Sequence, residues 1–101
     1  MAGNLPLIAP KFEHDCSSCH YIGHANDMDH YHCSDHQELV QRRSSDMIDY
    51  SAMAITTLAE FIPVLPEAQT RRWVVSLQLY ALHLFDVKCE RKARMILRIA
   101  S

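Results

Sequence analysis

Cys16-Ser17-Ser18-Cys19-His20-Tyr21-Ile22-Gly23-His24-Ala25-Asn26-Asp27-Met28-Asp29-His30-Tyr31-His32-Cys33, with His36 just beyond it, is the stretch that decides the fold. Cys16 and Cys19 are separated by two residues, the spacing with which a tight turn grips a tetrahedral zinc ion. Cys33 follows after a further thirteen residues and offers a third thiolate. Thiolate and imidazole are zinc's preferred donors, and four of them close the site. His36 stands in the familiar pair spacing after Cys33. His14 lies two residues before Cys16, so on an extended strand both side chains point the same way. Both histidines are therefore candidates for the fourth ligand. His30 and His32 share the face opposite to Cys33 if residues 29–33 form a strand, which disfavours them.

Outward from this stretch the chain divides into three zones. Residues 1–10 form a proline-bearing lead. Residues 11–43 hold six of the seven histidines and three of the four cysteines, a density of soft ligands that packing alone does not explain. Lys11–His14 and Asp29–Cys33 read as short strands, with turn chemistry at Gly23 and at Asn26-Asp27 between them. Such a hairpin has too little core of its own and would be held by its metal.

Residues 44–101 are helical in pattern. Ser44 or Ser45 suits an N-cap, Asp46 and Asp49 suit a first helical turn, and Pro63 ends the segment through Ala52, Ala54, Leu58, Ala59 and Phe61. Pro66 then opens a second helix from about Glu67 towards Ile99, with a break near Asp86–Lys88. From Trp73 to Val87 that helix is apolar on nearly every face. It is expected either to be the central pillar of the fold or to pair with a second copy, and a homodimer through 73–99 is favoured. Cys89 and His83 read as ordinary helix residues.

The predicted architecture is α+β, mostly helical: a zinc-stabilised N-terminal hairpin over 11–43, then two or three helices over 44–101, in one domain of 101 residues. The net charge of −2 hides an asymmetry. Residues 1–50 set eight acids against Lys11, Arg42 and Arg43, whereas residues 87–101 set Lys88, Arg91, Lys92, Arg94 and Arg98 against Glu90 alone. The basic end suits the C-terminus of a helix. It also offers contacts to an acidic protein surface or to nucleic acid, although the acidic first half argues against the latter. No export signal and no apolar run of bilayer length is legible, so a cytoplasmic protein without membrane association is expected, in which clustered cysteines hold metal. Cys16-Ser17-Ser18-Cys19-His20 also spells a c-type haem attachment signature, but haem requires export and leaves Cys33 unexplained. No nucleophile with base and orienter, and no glycine-rich phosphate loop, can be assembled, so no enzyme is expected.

Phe12-Glu13-His14-Asp15-Cys16-Ser17-Ser18-Cys19-His20-Tyr21-Ile22-Gly23 resembles the opening of a group of short, uncharacterised proteins of phages, prophages and their hosts. The group's pattern continues with an aromatic-x-Cys, here Tyr31-His32-Cys33, then an Arg, here Arg42 or Arg43, and an Asp-Tyr, here Asp49-Tyr50. The likeness covers roughly residues 12–52, and the helical half departs from it. It implies a metal knuckle in which His14, part of the shared pattern, is preferred to His36. It also implies a binding role, such as inhibiting or modulating a host macromolecular complex, for example a defence system. The expected contacts are Asp27, Asp29 and Tyr31 in the zinc zone and Arg91, Lys92 and Arg94 near the end. The alternatives are a zinc-containing nucleic-acid-binding regulator, with Arg42, Arg43, Arg71 and Arg72 on phosphates, and, more remotely, a metal-dependent nuclease.

Overall fold

The computed structural model of this chain describes residues 17–43 and 50–101. Four strands form an antiparallel meander in the order β1-β2-β3-β4: β1 Cys19–Ala25, β2 Met28–Cys33, β3 Glu38–Arg43 and β4 Tyr50–Ala54. Three helices follow. They are α1 Ile55–Phe61, continued by a 3-10 turn Ile62–Val64, then α2 Glu67–Asp86 and α3 Glu90–Ala100. The class is α+β, as the residue pattern indicates, but the sheet is larger than a hairpin.

The first hairpin turns on Asn26 and Asp27, whose φ angles of 56° and 62° are both positive. A two-residue loop of this kind matches the right-handed twist of the flanking strands, and Asn and Asp tolerate the left-handed region better than most residues. Gly23 is not part of the turn. It sits where the β1–β2 register shifts, with φ of 154°, and its missing side chain leaves room for Leu79 of α2. The strand paired with β2 is thus Cys19–Ala25; Lys11–His14, expected to be a strand, lies outside the described residues.

Alternation along β2 sorts its residues by face. Met28, His30 and His32 turn towards α2, while Asp29, Tyr31 and Cys33 turn away from it. Leu39 and Gln41 of β3 join the inner face, paired with His32 and His30. Ser51 and Met53 of β4, opposite Gln41 and Leu39, extend it.

The segment that reads as a helix from Ser44 is instead a strand over Tyr50–Ala54, and helix begins only at Ile55. Ser51, Ala52, Met53 and Ala54 carry small or flexible side chains with no strong intrinsic commitment. The open hydrogen-bonding edge of β3 captures them, and tertiary pairing overrides a weak helical preference. Ser44–Asp49, with the expected cap and acidic first turn, lie outside the described residues.

The second helical segment follows its expected course. Pro66 is the N-cap of α2, and Thr70 Oγ1 donates to Leu65 O at 3.2 Å, tying the helix start to the preceding turn. The break near Asp86–Lys88 is a Schellman ending. Lys88 takes φ of 68°, its N–H reaches Phe85 O at 3.1 Å, and the Cys89 N–H reaches Leu84 O at 2.7 Å.

Buried residues of α2 fall at Trp73, Ser76, Leu77, Tyr80, Ala81 and Leu84, a single helical face with its flanks. This face meets the sheet, and α3 lays Ala93 and Ile96 into the same core beside Leu39, Met53, Leu58 and Ile62. Burying each large side chain here contributes roughly 1.5–3 kcal/mol. Within one chain α2 is not covered all round: Leu82 is 65% exposed. No helix among the described residues is long and apolar enough to cross a membrane.

Candidate metal centre

Cys19 and Cys33 are directly opposite one another at the end of the β1–β2 hairpin. The next pair outward, Ser18 and Ser34, is joined by the Ser34 N–H donating to Ser18 O at 3.1 Å. Pair types alternate along an antiparallel ladder, so Cys19 and Cys33 occupy a non-hydrogen-bonded position, where facing side chains approach most closely. Both point away from α2.

The turn Ser34–Gln37 then folds His36 back over this end. Gln37 adopts φ of 53° and its side-chain amide donates to Ser34 O at 2.7 Å, which holds the turn in shape. His36 Nδ1 comes within 3.2 Å of Cys33 Sγ, which is fully buried. The hydrogen bond to the Cys33 sulfur and the charge on it push the His36 pKa up. Two ligands on a tetrahedral zinc, with bonds of about 2.3 Å to sulfur and 2.0–2.1 Å to nitrogen, stand ~3.6 Å apart. The 3.2 Å between Cys33 and His36 is a direct hydrogen bond, shorter than that spacing, and the donor types are those zinc prefers.

Of the expected ligands, the structure brings Cys33 and His36 together and sets Cys19 across from them. Cys16 and His14 lie outside the described residues. Among the described residues no group of three such side chains converges on a metal position. Cys89 is exposed at the start of α3, far along the chain from this site.

His30 and His32 face the other way. His30 Nε2 donates to Ala25 O at 3.2 Å, which leaves Nδ1 as the acceptor of the Ser76 hydroxyl. Gln41 Nε2 in turn donates to Ser76 Oγ at 2.9 Å and to Arg72 O at 3.0 Å. His32 stacks on Tyr80 with ring centres 4.1 Å apart and planes 19° apart. Desolvation lowers the pKa of both histidines, that of His32 to about 4, with the Lys92 charge adding to the effect. They are neutral docking groups for α2. The pattern of β2 separates them from the candidate ligand Cys33; the Ser76–Gln41 partnership leaves no local signal in the sequence.

The expected contact residues occupy two separate surfaces. Asp29 and Tyr31 lie on the sheet face turned away from α2, and Asp27 lies in the turn beside them. Asp29 accepts from His24 Nδ1 at 2.9 Å, and Tyr31 meets Tyr21 edge-on at 5.6 Å between ring centres. Tyr21, 56% exposed, completes an aromatic pair that the sequence reading overlooked. Arg91, Lys92 and Arg94 are exposed on α3, where Arg94 pairs with Glu90 at 3.4 Å and Lys92 Nζ lies 6.0 Å from the Tyr80 ring centre. No family model, curated protein or solved structure matches this chain.

Proposed function

We propose that the chain is a small zinc-stabilised binding protein that inhibits or modulates a host macromolecular complex. The observation that carries the metal reading is the meeting of Cys33 with His36 beside the cross-strand Cys19. Cys16, three residues before Cys19, is the remaining thiolate of the knuckle. His36 is the fourth ligand on this reading, in place of His14, because its ring already meets the Cys33 sulfur. Zinc bound by four side chains has no open position for water or substrate, so it would fix the sheet end and perform no reaction.

The inhibitor reading rests on the likeness to short phage proteins, together with the outward-facing Tyr21–Tyr31 pair flanked by Asp27 and Asp29. An interaction surface of this make-up combines aromatic anchors with a polar rim. The test is recovery of a stoichiometric host complex by the tagged chain from host lysate, repeated with Tyr31→Ala and Asp29→Lys. Loss of the complex with both, in protein that remains folded, supports the surface; an unchanged complex removes it.

A second reading has its own observation. Arg43, Arg71 and Arg72 surround one cleft, together with Asn26 and Asp27. Three guanidinium groups so placed suit phosphates, and a nucleic-acid-binding regulator would show affinity that falls steeply with salt. Retention on DNA or RNA that is insensitive to Arg71→Ala and Arg72→Ala would dispose of it.

A further inference from the structure

A groove of about 500 Å³ runs between α3 and the corner where β4 passes into α1. Its walls are Ala54, Ile55 and Ala59 on one side and Met95, Ile96 and Ile99 on the other. Met95 is 56% exposed although its neighbours across the groove are apolar. The volume lies within the range of sites that enclose small molecules.

Charge in this groove is of one sign. Lys92 and Arg98 line it, and no aspartate or glutamate does. Six residues apart on α3, the two cations are separated by about 9 Å along the helix axis and so bracket the apolar floor. Neither has a carboxylate partner among the described residues; the carboxylate of Glu90 is taken by Arg94. Lys92 and Arg98 also carry long methylene stems that add to the apolar walls, and the Lys92 ammonium stands 6.0 Å from the Tyr80 ring centre.

We propose that this groove binds a small amphiphilic anion, a medium-chain carboxylate, with its alkyl chain along Ile55, Met95 and Ile99 and its carboxylate on Lys92 or Arg98. An apolar chain suits the groove because its lining is predominantly apolar, with His36, Gln37 and Thr56 the polar side chains beside the two cations. An anionic head is required because the only charged groups at the rim are cations. The groove shares His36 with the candidate metal centre, but it does not rest on the inhibitor reading.

The experiment is calorimetric titration of the purified chain with decanoate, decanol and decyltrimethylammonium below their aggregation concentrations. Decanoate is expected to bind saturably at one per chain, decanol more weakly and the ammonium not at all. Lys92→Glu with Arg98→Glu is expected to weaken decanoate about tenfold or more, the loss of a charge-assisted contact. Met95→Glu, at an exposed position, is expected to leave the circular dichroism spectrum unchanged and to abolish binding. Equal binding of decanoate and the ammonium, or decanoate binding unaffected by Met95→Glu, would overturn the proposal. A dimer in sedimentation that Met95→Glu dissolves and decanoate does not would assign the groove to a second copy and overturn it equally.

Discussion

Replacing Ser76 with alanine removes a single buried oxygen, and its expected cost is out of proportion to its size. Ser76 is fully buried on α2, and its hydroxyl joins the helix to two strands at once. It donates to His30 Nδ1 and accepts from Gln41 Nε2. After Ser76→Ala, Gln41 retains Arg72 O and loses only a net hydrogen bond, about 1 kcal/mol. His30 Nδ1 retains nothing, and a buried acceptor without a donor costs about 1–3 kcal/mol. The sum is about 2–4 kcal/mol, a large part of the stability of a domain this small. At 4–8 °C per kcal/mol the melting temperature falls by at least about 8 °C. Urea denaturation followed by tryptophan fluorescence reads the change, since Trp73 lies in the same core. The cycle with Gln41→Leu then isolates the shared bond, and the double substitution is expected to cost less than the sum of the singles. A loss below about 0.5 kcal/mol for Ser76→Ala would refute the idea that this network holds α2 on the sheet.

Acidification tests the neutral histidines. With folded-state pKa values below the usual 6.5, about 4 for His32, the unfolded chain takes up protons at a pH where the folded chain does not. Stability from these groups is therefore complete above pH 6.5 and is lost as pH falls below it, with His32 alone accounting for a loss of about 3 kcal/mol by pH 4. His32→Phe, which keeps the stack on Tyr80 and needs no partner for the ring nitrogen, is expected to flatten the dependence measured by denaturant titration between pH 7 and pH 5. Lys88 adopts the left-handed conformation that a helix ending reserves for glycine. Lys88→Gly is expected to raise stability by about 1 kcal/mol in the same assay, whereas a decrease would mean that the lysine side chain contributes there.

Much of the helical half is legible in the sequence because its signals are local. Pro66 marks the start of α2 and the Asp86–Lys88 break is where the pattern places it, but the run from Trp73 to Val87, apolar on nearly every face, does not tell which face is buried. The alternation His30-Tyr31-His32-Cys33 separates the candidate ligand Cys33 from the core histidines before any fold is known. β3 and β4 are harder to read. Glu38–Arg43 carries only two strongly apolar residues, and the small side chains of 51–54 suit a helix as well as a strand. Their conformation is decided by pairing with each other and with β2, information held in distant residues. The same holds for the candidate site. Cys16, Cys19 and Cys33 announce themselves by spacing, but the position of His36 depends on a turn in which Gln37 takes a left-handed conformation, a choice that glutamine does not advertise. The Ser76–Gln41–His30 contacts span 35 to 46 residues, too far for any periodicity to reveal.

The metal content of the purified chain tests the central claim most directly, measured by elemental analysis alongside Cys33→Ser, His36→Ala and His14→Ala. A single zinc per chain is expected, lost with Cys33→Ser, lost or greatly weakened with His36→Ala and retained with His14→Ala. Zinc lost with His14→Ala but kept with His36→Ala would transfer the fourth position to His14. Folded chain that contains no zinc and gains no stability when zinc is added would contradict the account.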